Sequence, residues 1–284
     1  MNITRLDLDG AALPSALVTR ILELEPGLTL PIPIEALCRQ FDIIDIRDLE
    51  TDGFEAALLT DVHKASGAIL VAQGGSHHRR RFSIAHELGH FLIPTHLPPV
   101  GGGFRCSSED LRLQTAREQD RHSRMEAQAN QFAALLLMPP PLLRAELRAI
   151  RTPDVTNIVR LARMFDVSKD AMARAYVEAH RQSVAVLVVH EGKLVRSYRA
   201  AGRFPWIDVN IGSKVPLASV AHEHRLLLGE TSQSEECEPE VWLTARDARH
   251  VEVMTEQVLG QVNGYALILL QVEMRDGDSD QPLG

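Results

Sequence analysis

Residues 81–94 read RFSIAHELGHFLIP, and the periodicity of this stretch decides how the N-terminal half of the chain is built. In a helix, side chains four residues apart share a face, so His86 and His90 can offer two imidazole nitrogens to one metal ion. Glu87 lies about a quarter-turn round, near enough to reach a water at that ion without being a ligand. The flanking Phe82, Ile84, Ala85, Leu88, Phe91 and Leu92 make nearly every other face apolar, which marks a buried helix. Ser83 is expected to cap its start and Pro94 to force its end. Burying two histidines and a glutamate without partners would be strongly unfavourable, so a bound metal is the simplest account of them.

A tetrahedral catalytic metal needs three protein ligands and one open position. The third is expected on a second helix, in RMEAQANQFAALLLMPP at 124–140. Ala129, Phe132, Ala133, Leu136 and Leu137 recur there at helical spacing, and Met138 with the following prolines ends the run. Glu126, one turn before Ala129 and Asn130, is the leading third ligand, with His122 and Glu118 as rivals. Small Ala129 and Ala133 would let the two helices approach closely enough to share an ion. The plainer reading of Glu126 is a solvated first-turn carboxylate favoured by the helix dipole. H-E-x-x-H is the arrangement of zinc-dependent peptidases, in which the glutamate is the catalytic base. Zinc is the expected cofactor, with Mn2+ as a substitute, because imidazole and carboxylate suit both.

His86-Glu87-Leu88-Gly89-His90 followed by E-x-x-A-N-x-F-A-x-x-L-L-M-P at 126–139 resembles the IrrE/ImmA family of intracellular metallopeptidases. The resemblance implies that Glu126 is the third ligand beside His86 and His90, with Glu87 as the catalytic residue. The chain departs from the family pattern at Gln128, where a second acid is usual. The resemblance also implies a substrate, since such enzymes cut helix-turn-helix repressors. The IrrE (PprI) branch, the radiation-response regulators of Deinococcus, cuts the DdrO type and so induces DNA-damage genes.

Length and composition agree with such a protein. A chain of 284 residues, 45% hydrophobic, suggests about two domains with real cores. No apolar run reaches membrane-helix length, and MNITRLDLDG lacks the basic-then-apolar layout of a signal peptide. Cys38, Cys106 and Cys237 form neither a disulfide framework nor a zinc-knuckle spacing, so a reducing cytoplasm is the simplest setting. A net charge of -8 argues against a surface that coats nucleic acid.

The fold class expected is α+β and multi-domain, with the first unit, 1–145, a zincin-like metallopeptidase domain. Helical patterns run from Leu17 to Leu24 and from Ile34 to Phe41, and short strands lie at Ile43–Ile46, Ala56–Leu59 and Ala68–Val71. The run Ser76–Arg81 reads as a solvated turn, with an anion or substrate contact as its functional alternative. The strand Ala68–Val71 is the expected sheet edge on which an extended substrate would lie.

Residues 146–181 read as a helix-turn-helix, with Asp166-Val167 in the turn and Ser168 capping the second helix. Val167 and Ala171 are expected inside; Lys169, Asp170, Met172, Arg174 and Arg181 are expected nearer the outside. That face is thin in arginine, so DNA binding is expected to be weak or absent. Residues 182–273 read as a mixed α/β unit, with a hairpin at Val184–Val189 and Leu194–Val195 and strands at Val241–Leu243 and Tyr265–Leu270. Its place after the helix-turn-helix resembles the GAF-like domain of IrrE-type chains, which implies a small-molecule ligand or a scaffold. His222-Glu223-His224 reads as surface, because adjacent positions diverge too far to share an ion. The acidic tail, 274–284, is expected to be disordered.

Two classes of function compete. Either the chain is an endopeptidase whose partner is a repressor substrate, or it is a DNA-binding regulator whose metal only holds the fold. Glu87 favours the first, since a structural zinc has four protein ligands and no use for a carboxylate beside an open position.

Overall fold

The computed structural model describes residues 2–98, 103–107, 121–223 and 229–275. Glu118, His224 and residues 276–284 of the acidic tail lie outside these. The fold is mixed α+β, and it divides into two compact units, Met1–Pro140 with Met164–Ser168, and Pro141–Arg163 with Lys169–Gly284.

In the first unit, helices α1 (Pro14–Leu24) and α2 (Ile34–Gln40) precede strands β1 (Ile43–Leu49), β2 (Ala56–Thr60) and β3 (Gly67–Ala72). Helix α3 (His77–Leu92), the short strand β4 (Phe104–Cys106) and helix α4 (Arg121–Leu137) complete it. The sheet order is β1-β3-β2-β4. β3 runs parallel to β1 and antiparallel to β2, and β4 is antiparallel to β2. β3, expected as the edge, is therefore an interior strand, and β1 and β4 are the edges. Its GAILVA sequence is apolar throughout, though burial alternates along it, with Ile69 and Val71 on the buried face.

The basic run is helix rather than turn. Helix α3 begins at His77, and the Ser76 hydroxyl accepts from the Arg79 amide at 3.2 Å as its N-cap. Nothing in His77-His78-Arg79-Arg80-Arg81 breaks a helix, and arginine is a good helix former. Arg79 pairs with Glu55, and Arg80 with Glu35 and Asp48. Ser83, expected as the cap, is instead fully buried inside the helix. At the other end Ile93 is the C-cap, and Pro94 follows it.

Helix α3 packs on α4 and on β2 and β3, and α1 covers α4. The close seam is at Gly89, where an added Cβ would lie 3.1 Å from Phe132 Cδ1 and 3.3 Å from Ala129 Cα. Glycine on one helix and alanine on the other thus bring the backbones together, as the small residues of 129–133 lead one to expect.

Helices α5 (Pro140–Arg148), α6 (Val155–Phe165) and α7 (Lys169–Ala179) belong to the second unit except for Pro140 and Met164–Ser168, the latter including the three residues that join α6 to α7. Asp166 turns that corner at φ 54, a left-handed conformation that aspartate tolerates. Val155, Ile158, Leu161, Ala162 and Phe165 are buried at helical spacing. The register of α7 differs from expectation by one position: Met172, Ala173, Tyr176 and Val177 face inward, and Met172 is fully buried. Lys169 donates to Gln261 at 2.5 Å, while Asp170 accepts from Arg196 at 3.0 Å and Tyr198 at 2.9 Å.

Strands β5 (Ser183–His190), β6 (Lys193–Arg199), β7 (Glu235–Glu236), β8 (Val251–Gly260) and β9 (Tyr265–Met274) form one antiparallel sheet ordered β6-β5-β9-β8-β7. Val241–Leu243 is not a strand. Residues 239–241 form a 3-10 turn begun by Pro239, and Leu243 makes one isolated bridge with Ile207. Trp242 is buried there because its indole N–H donates to the buried Glu256 carboxylate at 2.9 Å.

Candidate metal centre

Helix α3 carries His86 and His90 one turn apart, both fully buried, and α4 brings Glu126 against them, 5% exposed. His86 Nε2 lies 3.1 Å from His90 Nε2 and 3.1 Å from Glu126 Oε2, and His90 Nε2 lies 3.3 Å from Glu126 Oε1. Cys106 of β4 adds a fourth donor, its Sγ 3.8 Å from His90 Nε2. One donor atom from each of these four residues falls within 4.8 Å of all the others. His122 lies one turn before Glu126 on α4, with its side chain 62% exposed and Nδ1 3.7 Å from Glu126 Oε1. Glu87 is fully buried beside His86 on the same helix. Exposed His222 falls in helix α8 (Val220–Glu223) of the second unit.

The outer hydrogen bonds settle which nitrogens face inward. His86 Nδ1 lies 2.9 Å from Asn130 Oδ1, an oxygen that only accepts, so Nδ1–H donates and Nε2 keeps its lone pair. His96 Nε2 donates likewise to Gln128 Oε1 at 2.9 Å. His96 Nδ1 is then an acceptor for His90 Nδ1–H at 3.1 Å, which leaves the lone pair of His90 on Nε2. Two imidazole lone pairs and a carboxylate therefore converge at 3.1–3.3 Å. Such a group repels itself unless a proton or a metal ion lies between. Ligands about 2.0–2.1 Å from a tetrahedral zinc stand roughly 3.3 Å apart, so the donor set fits a small divalent ion.

Burial keeps these groups in the required states. Burial holds His90 down to about 4 and His96 down to about 3, so both are neutral near pH 7. Burial alone would raise the Glu126 carboxyl, but in the metal-free chain a ring that carries its proton on Nε2 instead donates to it, and such contacts with His86 and His90 hold it well below the usual range, so it is ionised. Lys64, 8% exposed, donates to the carbonyls of His90 at 2.7 Å and Ile93 at 2.9 Å and so closes the end of α3. Burial brings its ammonium down to about 8.

A cleft of about 330 Å³ opens alongside, lined by Gly53, Glu55, Val71, Gln73, Arg79 and Ser83 among others. Ser83 is one turn before Glu87 on α3, so the cleft adjoins the face that carries the buried carboxylate.

Sequence reasoning did not anticipate Cys106, His96 or the part played by Asn130. Asn130 sits four residues after Glu126, so the same helix face carries a ligand position and its hydrogen-bonding support, and that spacing could have found it. His96 and Cys106 lie after the helix, where no periodicity links them to it.

Residues 43–176, just under half of the chain, match the family model described as Peptidase_M78, IrrE N-terminal-like domain. That match supports the IrrE/ImmA metallopeptidase family for this segment. No curated protein matches the chain. Among solved structures, a Mycobacterium tuberculosis transcriptional regulator is similar at 14% identity and a TM-score of 0.50, over 91% of this chain and 87% of that one. At that identity the likeness concerns the fold. No described helix is long and apolar enough to cross a membrane.

Proposed function

We propose that this chain is a metal-dependent endopeptidase that cuts a protein substrate at one defined bond. His86, His90 and Glu126 would hold the ion, zinc or Mn2+ in its place. The observation that carries this reading is the convergence of three lone-pair donors at 3.1–3.3 Å, with a buried carboxylate, Glu87, on the same helix. A divalent ion bound there supplies Lewis-acid polarisation of a peptide carbonyl and a lowered pKa for water. Glu87 takes the proton of the attacking water and passes it to the leaving amine. Asn130 and His96 hold the two imidazoles in the tautomers the site requires.

The substrate we propose is a helix-turn-helix repressor of DdrO type, whose cleavage in the cytoplasm would induce DNA-damage and radiation-response genes. This rests on the resemblance to IrrE (PprI) of Deinococcus and on the IrrE-like family match over 43–176. Residues 146–181 would then serve as a helix-turn-helix recognition module. The sheet at 182–273, read as GAF-like, would take a small ligand or scaffold an assembly.

A second reading, a DNA-binding regulator with a structural metal, draws on the transcriptional regulator of similar fold and on the fourth donor, Cys106. Against it stands the start of α7, which would have to enter a major groove. Lys169 and Asp170 are instead engaged with Gln261, Arg196 and Tyr198 of their own unit. Incubation of the purified protein with helix-turn-helix repressors, with and without added zinc, separates the two. A discrete, zinc-dependent product absent with Glu87→Gln is expected; an intact repressor that binds only as DNA competitor would favour the regulator.

A further inference from the structure

Strand β4 is three residues long, yet its place is closely specified. It pairs antiparallel with β2 at the sheet edge, Ala56 opposite Cys106 and Leu58 opposite Phe104. The Glu55 amide donates to the Cys106 carbonyl at 2.9 Å. Gly103, just before the strand, has φ +87, and a Cβ there would lie 2.6 Å from the Leu58 carbonyl oxygen, so only glycine lets the chain enter this close. Phe104 then stacks on the His90 ring, centroids 4.6 Å apart at 24°. Cys106, 1% exposed, has its sulfur among the metal donors.

A thiolate about 2.3 Å from a tetrahedral zinc would stand roughly 3.6 Å from an imidazole ligand, close to the 3.8 Å found. Peptide hydrolysis needs that fourth position for water and substrate. With donor atoms of His86, His90, Glu126 and Cys106 all within 4.8 Å of one another, a Cys106 thiolate ligand would take that position.

We propose that the Cys106 thiolate is a displaceable fourth ligand, and that β4 holds the peptidase latent until it draws back from the metal. This rests on the metallopeptidase reading above. On closing, the thiol gives its proton to solvent and a sulfur–metal bond forms. On opening, that bond breaks, sulfur takes a proton back, and water enters the vacated position. No oxidant or reductant is consumed. Once withdrawn, β4 also exposes the hydrogen-bonding edge of β2, where an extended substrate could pair in its stead.

The test uses cobalt(II) as the probe, bound to the full-length wild-type protein and to Cys106→Ala and Cys106→Ser. The wild type is expected to take one cobalt and to show a thiolate-to-cobalt charge-transfer band. Both variants should still bind cobalt but lose the band, and their zinc forms should cleave a repressor faster than wild type. X-ray absorption of the wild-type zinc protein should find one sulfur at about 2.3 Å. One bound cobalt without the band would overturn the proposal and leave the metal centre standing. A band in the wild type with no gain of cleavage in either variant would make Cys106 a permanent ligand and overturn the latency. Failure to bind cobalt at all would overturn both this inference and the metallopeptidase reading.

Discussion

Replacing Gly89 with alanine tests the seam that brings Glu126 to the histidines. Away from tertiary contacts, this change would stabilise a helix by about 0.8–1.0 kcal/mol. Here the new Cβ would stand 3.1 Å from Phe132 Cδ1 and 3.3 Å from both Ala129 Cα and Phe132 Cβ. Ordinary carbon contacts are roughly 3.5–4.0 Å, so α4 must retreat by a few tenths of an ångström. The Phe132 ring could swing aside, but Ala129 Cα is backbone and can move only with its helix. Overpacking of this kind costs about 1–3 kcal/mol, which outweighs the propensity gain and leaves a net loss near 1 kcal/mol. For a chain of this size that lowers Tm by about 2–4 °C. Glu126 lies one turn from Ala129, so the same retreat should weaken metal binding about tenfold, equivalent to ~1.4 kcal/mol. Thermal unfolding of the metal-free protein and calorimetric zinc titration read the two effects separately. A variant stabilised by ~1 kcal/mol that binds zinc as tightly as wild type would refute the close approach of α3 and α4.

Three further outcomes follow from the same geometry. Asn130→Ala leaves the His86 Nδ1–H without its acceptor and should lower zinc affinity by about 10–100-fold, read by competition with a chelating dye. Glu87→Gln keeps the side chain's size but removes the base, so the variant should retain one metal per chain and lose cleavage of a repressor; near-wild-type turnover would eliminate that role. Acid should destabilise the metal-free protein in a defined window. Burial holds His90 at about 4 and His96 at about 3 in the folded state, against about 6.5 unfolded. The unfolded chain therefore takes up protons first, and stability falls as pH drops through the interval from about 6.5 to about 4. Urea melts at about pH 7 and about pH 5 should differ by on the order of 2–4 kcal/mol. The depressed Glu126 adds a further loss only below about pH 4.5.

What could be read in the chain beforehand depended on periodicity. Ile84, Leu88 and Phe91 on α3, and Phe132, Ala133 and Leu136 on α4, repeat at helical spacing and are buried as a helix core requires. Those repeats carry His86, Glu87, His90 and Glu126 to their places. Features outside the repeats were not legible. Ser83 resembles a cap because serine precedes an apolar run, yet Ser76 takes the cap once Arg79 and Arg80 find carboxylates on neighbouring elements. Val241-Trp242-Leu243 has strand composition, but Pro239 and the Trp242–Glu256 hydrogen bond hold it in a turn. β3 is interior because β1 and β2 both pair with it, an order that alternation along a single strand does not reveal, and the three residues of β4 after a glycine run carry no pattern to show that they cover the far edge of β2. Met172 faces inward with Ala173, Tyr176 and Val177, while Asp170, two residues earlier and so on the opposite side of the helix, meets Arg196 and Tyr198.

The central claim is one metal ion held by His86, His90 and Glu126, and zinc affinity of Glu126→Ala against wild type tests it most directly. Wild type should hold one ion per chain. The variant should lose more than the ~10–100-fold that removal of an outer hydrogen-bonding partner costs, since two imidazoles and a cysteine remain without their carboxylate. One zinc retained by Glu126→Ala at wild-type affinity would contradict the assignment and move the third ligand to another residue.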